Sequence, residues 1–220
     1  MSEHESLVEA AEPRRPVRVE GRLDEPLNRW LWLVKWILIL PHLLVLIFLW
    51  IAFILLTIVA GFAILFTGSY PRGIFDFNVG VLRWGWRVGF YSYSALGTDR
   101  YPPFTLDAVS DYPATLEVEY PETLSRWLVL VKWWLLAIPH YLVIGFFGGG
   151  LGPRLGGGLI VILVLIAAVA LLFRAFYPRD IFDFVMGLNR WILRVIPYAA
   201  LMRDEYPVFR LDQGPTEPAG

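Results

Sequence analysis

Apolar and polar positions are distributed very unevenly along this chain. From Trp30 to Phe66 it reads WLWLVKWILILPHLLVLIFLWIAFILLTIVAGFAILF, with Lys35 as its single charge, near the start. Such a run far exceeds the ~18–20 apolar residues that mark a membrane-crossing helix. As one straight helix it would reach roughly 55 Å, against a hydrocarbon core of about 30 Å. A second apolar stretch, Trp127 to Phe147, leads into GGGLGPRLGGG (Gly148–Gly158), and a third begins at Leu159 and ends near Phe176. The glycines and Pro153 of the intervening segment read as a loop. The polar, acidic lead Met1–Glu12 and the length of the first run speak against a secretory signal peptide.

The pattern returns at a spacing of about 100 residues, the signature of a duplicated module. VRVE (Val17–Glu20) is answered by LEVE (Leu116–Glu119), RWLWLVKW (Arg29–Trp36) by RWLVLVKW (Arg126–Trp133), and Pro41-His42 by Pro139-His140. YPRGIFDF (Tyr70–Phe77) is answered by YPRDIFDF (Tyr177–Phe184), and DRYPPFTLD (Asp99–Asp107) by DEYPVFRLD (Asp204–Asp212). If the Gly-rich loop joins two spans in the second copy, the first copy also makes two, through a tight turn near Phe48–Trp50. Each copy is then a helical hairpin. The competing reading is an interfacial helix ending at Pro41 and a single span from Leu43 to Phe66.

After each apolar region comes a different kind of helix. In Ile74–Leu96, the positions Asp76, Gly80, Arg83 and Arg87 form one polar stripe by their 4, 3, 4 spacing, and Asp183, Gly187, Arg190 and Arg194 repeat it. Two arginines at mid-bilayer would cost at least ~5 kcal/mol, so both helices are expected to lie flat in the cytoplasmic interface. Tyr70-Pro71 and Tyr177-Pro178 should end the preceding spans, which puts Asp76 and Asp183 in a first helical turn. The alternating segments 17–20, 104–107, 116–119 and 209–212 read as short strands, enough for one small sheet.

The expected fold is therefore an all-α membrane protein of two tandem helical-hairpin modules, with four transmembrane helices. Each hairpin is followed by an interfacial amphipathic helix, and a small cytoplasmic β element completes the fold. Residues 1–16 and 213–220 are expected to be disordered tails, 17–107 the first module, 108–115 a linker and 116–212 the second module.

Composition agrees with this class. Hydrophobic residues make up 57% and charged residues 18%, with 10 Trp and 15 Phe, where a soluble domain carries about 25% charged residues. This excludes a disordered chain and leaves too much apolar area for a freely soluble surface. Cys is absent, which removes disulfides, thiol catalysis and thiolate metal sites. The net charge of −1 offers nothing to nucleic acid. That near-neutral sum conceals a segregation: all 20 acidic residues and every Lys or Arg except Arg154 flank the predicted spans or lie between the copies. The positive-inside rule then places the chain in the inner (plasma) membrane as a multi-pass protein with both termini cytoplasmic. Lys35 and Lys132 are expected to snorkel to the interface, among the belt of Trp30, Trp36, Trp127 and Trp133.

Few residues offer chemistry. Arg83, Arg87, Arg190 and Arg194 are candidates for binding anionic lipid headgroups or another phosphate. Asp76 and Asp183 are candidate structural ion-pair partners for them, Asp76 with Arg83 or Arg87, or with Arg190 across a pseudo-twofold axis relating the two copies. His42 and His140 read as packed histidines, because no carboxylate lies within either hairpin to complete a relay or a metal site. Gly148–Gly158 lacks the Gly-Lys-Ser/Thr ending of a phosphate loop. No catalytic constellation, metal site or cofactor is expected.

Taken together, Arg-Trp, Lys-Trp and Pro-His, then YPRGIFDF, RWGWRV and DRYPPF, resemble the prokaryotic membrane-protein family catalogued as domain-of-unknown-function family 4389, in two tandem copies over about residues 17–212. The second copy departs in its Gly-rich insertion and in Pro207-Val208, where the first has Pro102-Pro103. The resemblance implies the membrane class and the module boundaries, and no activity. The expected function is a non-enzymatic accessory or scaffold protein whose partners are membrane lipid, other membrane proteins or a second copy of itself. The alternative is a small transporter or channel built from a parallel repeat.

Overall fold

The computed structural model describes residues 16–148 and 158–214. The predicted tails fall largely, and the Gly-rich segment with Arg154 almost wholly, outside the described residues. Two strands, β1 (Val17–Gly21) and β2 (Ala114–Val118), pair antiparallel with Val17 opposite Val118, Val19 opposite Leu116 and Gly21 opposite Ala114. Their alternation buries Val17, Val19, Leu116 and Val118 on one face and leaves Arg18 and Glu117 on the other. The helices are α1 (Trp32–Leu38), α2 (Leu40–Thr67), α3 (Arg72–Tyr91), α4 (Leu128–Val131), α5 (Ile138–Gly148), α6 (Leu159–Arg174) and α7 (Arg179–Ala199). A π-helical turn, Lys132–Leu136, joins α4 to α5. It lies just before Pro139, whose ring would clash with the carbonyl four residues back in a regular helix.

The four-span reading is not supported. Among the described residues, two helices are long and apolar enough to cross a membrane, Leu40–Thr67 and Leu128–Gly145, while Leu159–Arg174 is apolar but shorter. The first copy does not form a hairpin. Nothing at Phe48–Trp50 interrupts the helix, which contains neither Gly nor Pro there, and α2 runs unbroken to Gly68, a left-handed C-cap at φ 77°. Aligned on Pro-His, α5 matches residues 40–50 of α2. Aligned on Tyr-Pro, α6 matches residues 52–67. The Gly-rich segment is thus an insertion into the counterpart of one helix, not a turn that both copies share.

Two of the four expected strands are absent as strands. Segments 104–107 and 209–212 are irregular straps across the amphipathic helices. Leu106 packs on Gly80 and Leu211 on Gly187. Pro102 and Pro103 bring no amide donor to a ladder, and the strap carbonyls are taken by guanidiniums instead.

The layers follow from these contacts. α2 lies antiparallel along α3. His42 Nδ1 accepts from Trp84 Nε1 at 3.0 Å, Asn78 donates to Thr57 at 3.2 Å, and the Trp50 ring sits over Gly85. The sheet covers the other side of α3, where Trp86 Nε1 donates to the Glu20 carbonyl at 3.1 Å and Phe75 meets the Tyr120 ring. α7 lies beneath β1, and its Phe182 ring meets Phe90 of α3 edge-on. The core accordingly sits between helices and sheet, around Val19, Val81, Phe90, Val185 and Met186, all essentially inaccessible.

A Cβ at Gly80 would lie 2.7 Å from the Leu106 Cβ and 3.0 Å from its carbonyl oxygen, whereas one at Gly73 would meet nothing. Gly80→Val should lower the unfolding free energy by about 1–3 kcal/mol. Gly73→Ala should leave it unchanged or raise it by up to about 1 kcal/mol. Melting both variants in detergent, followed by circular dichroism, checks the strap; an unchanged Gly80→Val would show that it is not packed there.

Candidate functional site

The polar stripes of α3 and α7 face the sheet. Arg83 and Arg190 are equivalent in the repeat. Each donates Nε at 2.9 Å to a strand carbonyl, Arg83 to Leu116 and Arg190 to Val19, and these two residues are register partners. The arginine pair therefore clasps the sheet about its pseudo-twofold axis. One turn on, Arg87 donates to the Asp107 carbonyl at 3.2 Å and also to that of Thr105. In the second copy Arg190 Nη1 reaches the carbonyls of Asp212 and Gly214, at 2.8 and 2.6 Å, and Arg194 meets the buried Asp212 carboxylate at 2.6 Å. Desolvation lowers the Arg87 pKa, and Tyr112 and Asp107 oppose it.

All four predicted arginines are thus brought onto protein oxygens, two of them, Arg87 and Arg190, buried. The predicted carboxylates are not brought to them. The helix begins directly after Pro71, so Asp76 lies beyond the first turn, exposed, and pairs with Arg72 at 3.3 Å. Asp183 is half-buried one turn into α7, and Asp180 takes the first-turn position. A small pocket of about 150 Å³ beside Arg83 and Arg87 is also lined by Asp107 and Glu117. Its mixed charge does not make a phosphate cradle.

A second polar cluster occurs in each copy, and here the snorkelling expectation for the lysines is corrected. Lys35 is buried and bonds the Asp99 carboxylate at 2.9 Å and the Thr98 carbonyl at 2.7 Å, with its ammonium over the Tyr91 ring. Lys132 repeats this with Asp204 at 2.6 Å and the Arg203 carbonyl at 3.0 Å, over Tyr198. Burial lowers the Lys35 pKa, and Asp99 pulls it back up. Two tyrosine rings, Tyr91 with Tyr101 and Tyr198 with Tyr206, link each lysine to the Pro-His histidine of its copy. His42 is stacked on Phe104 and accepts from Trp84, and His140 is stacked on Phe209 and accepts from Trp191 at 3.2 Å. Accepting at Nδ1 from an indole fixes each imidazole with its proton on Nε2. The signal for these clusters lay in the repeat: Lys-Trp, Pro-His, Arg-Trp and Asp-x-Tyr-Pro recur together because they touch.

The remaining feature is apolar. α2 exposes Leu44, Ile47, Ile51, Ile58, Phe62 and Phe66 along one stripe, while His42, Leu46, Phe53, Ala60 and Ile64 pack inward. Copy two exposes Trp133, Trp134, Leu142, Ile166 and Phe173 in the same way. Two open apolar clefts, of about 810 and 770 Å³, separate the helices of the two copies.

A family model described as a domain of unknown function (DUF4389) matches residues 29–105 and 154–210, one segment in each copy. No curated protein and no solved structure matches the chain.

Removing Lys35 alone leaves the half-buried Asp99 carboxylate without its ammonium. Lys35→Met should therefore cost about 3 kcal/mol, and Lys35→Met with Asp99→Asn less than the sum of the two single changes, with a coupling of about 1–3 kcal/mol. Arg190→Lys should also destabilise, by about 2 kcal/mol, because one ammonium cannot span carbonyls on two separate segments. Denaturant titration of the four variants in detergent reads both effects; additive single changes would show that the pair is not coupled.

Proposed function

The chain belongs to the DUF4389 family, and we propose that it is a non-enzymatic accessory or scaffold protein embedded in the inner (plasma) membrane, with the sheet and straps on the cytoplasmic side. The observation that carries this reading is the continuous apolar stripe of α2, matched on α4–α6. A soluble monomer rarely exposes a contiguous apolar patch beyond a few hundred Å². Here whole helix faces lack any polar side chain, whereas Arg18 and Glu117 lie on the far side of the sheet.

The use made of the charges supports a structural, non-catalytic role. Arg87, Arg190, Lys35, Lys132 and Arg203 each hold backbone carbonyls of a strand, strap or loop. Groups spent in this way fix a scaffold. Lipid contact is assigned to the apolar stripes, with exposed Arg29 and Arg126 beside Trp30 and Trp127 at headgroup level.

Two outcomes are expected in cells. The chain should stay with membranes through alkaline carbonate washing, and quantitative extraction would refute embedding. Because the sequence has no Cys, a single cysteine at the exposed Ser110 can be probed with an impermeant maleimide. Ser110→Cys should react in inverted vesicles and not in intact cells; reaction in intact cells would reverse the orientation.

A further inference from the structure

We propose that the chain occupies a single leaflet, with α2 and α5–α6 lying parallel to the membrane plane among the acyl chains, and that no described segment crosses the bilayer. The proposal rests on the membrane reading above and specifies how the apolar face meets lipid.

Length and apolarity alone would let α2 stand upright. The layers stacked on it do not permit that. α3 lies along α2 for most of its length, through His42–Trp84, Trp50–Gly85 and Thr57–Asn78. The sheet in turn lies lengthwise along α3. Tyr120, just beyond β2, meets the Phe75 ring at one end, Arg83 bonds Leu116 midway, and Gly21, opposite Ala114, abuts Phe90 at the other end. Six extended residues reach about 20 Å and fifteen helical ones about 22 Å, so strand and helix run side by side. Sheet, α3 and α2 are therefore three parallel layers.

With α2 upright, the sheet would stand at bilayer depth. Its centre, Val19 opposite Leu116, lies level with the middle of α3, and Arg18 and Glu117 would project from there into hydrocarbon. A charge at that depth is disfavoured even on the mildest insertion scale. The two-stranded sheet would also expose open edges where no water can satisfy them, which lipid-facing structures avoid. Laid flat, the same molecule has no such conflict. The pseudo-twofold axis through Val19 and Leu116 becomes the membrane normal, and both apolar stripes face away from the sheet. A helix about 10 Å across fits an immersion of roughly 5–10 Å, within one leaflet of about 15 Å. Exposed cations then ring the slab at both helix ends, Arg29 at one and Arg72 at the other.

The occupant is lipid and not a second copy, because the stripes themselves carry no charged side chain to orient a protein partner, and the exposed cations beside them stand only at the helix ends, where headgroups lie. Exposed Trp30, Trp127 and Trp133 instead gather at the helix starts, where aromatic rings sit at headgroup level.

The test uses the full chain in phosphatidylcholine–phosphatidylglycerol vesicles, with single nitroxides at Leu44, Ile51, Ile58 and Phe66. Oxygen and nickel-chelate accessibilities should give one depth for all four, equal within about 5 Å and some 5–10 Å below the phosphates. A profile deepest at Ile51 and Ile58 and shallow at Leu44 and Phe66 would overturn the proposal while leaving the membrane reading intact. Spin–spin broadening without oxygen access would overturn lipid as the occupant. A chain that fails to float with vesicles would refute the membrane reading itself. As a second arm, Arg29→Cys, Gly73→Cys and Arg18→Cys should all react with an impermeant maleimide from the same side of the vesicle. Reaction of Arg29→Cys and Gly73→Cys from opposite sides would overturn the proposal.

Discussion

A guanidinium removed from water must find carbonyl or carboxylate oxygens, and that requirement organises this molecule. Arg190 is completely buried and holds oxygens from β1 and from the strap after α7. Arg83 and Arg87 do the equivalent in the first copy, reaching β2 and the strap after α3. Each copy's amphipathic helix is thereby tied to a strand and to its own strap. Because the two strand carbonyls belong to the register pair Val19 and Leu116, the clamps also hold the copies in register. A buried ion-bonding group left without its partner costs several kcal/mol, so these ties are costly to break singly.

The position of every other layer follows. With their arginines turned to sheet and straps, α3 and α7 leave mostly apolar faces, broken by Asn78, Trp84 and Trp191, and these receive α2, α5 and α6. Among the described residues nothing further covers those helices, and their outward stripes are apolar up to Thr67 and Arg174 at their ends. Lys35 and Lys132, with Asp99 and Asp204, fasten the starts of the apolar helices to the strap ends. His42 and His140 fill the adjoining space against Trp and Phe rings. The most polar side chains are spent inside the module, and its least polar ones form the outer face.

Much of this was legible in the sequence, and the failures have physical causes. The repeat, the two amphipathic helices with their Arg stripes, and the β1 and β2 segments could all be read from periodicity. The hairpin could not, because Gly-rich composition marks a loop without revealing whether that loop is a shared turn or an insertion into one helix. The straps alternate as strands do, and only the neighbouring guanidiniums show that their carbonyls are already taken. Lys35 reads as a snorkelling residue until Asp99, far along the chain, is found beside it. Asp76 was matched to the wrong arginine because helix spacing cannot tell which side of the stripe faces protein.

The sequence by itself determined what the chain is made to contact: an apolar excess gathered in long runs, charges kept to the ends of those runs, and everything written twice. These are properties of local order and composition, and they survive without coordinates. Tertiary structure alone decided the direction in which the apolar runs point. Hydropathy measures whether a helix can tolerate lipid, whereas its angle to the membrane depends on what is packed against it. Here a charged, open-edged sheet lies parallel to α2, one helix layer away, and that juxtaposition of distant segments appears nowhere in the linear pattern.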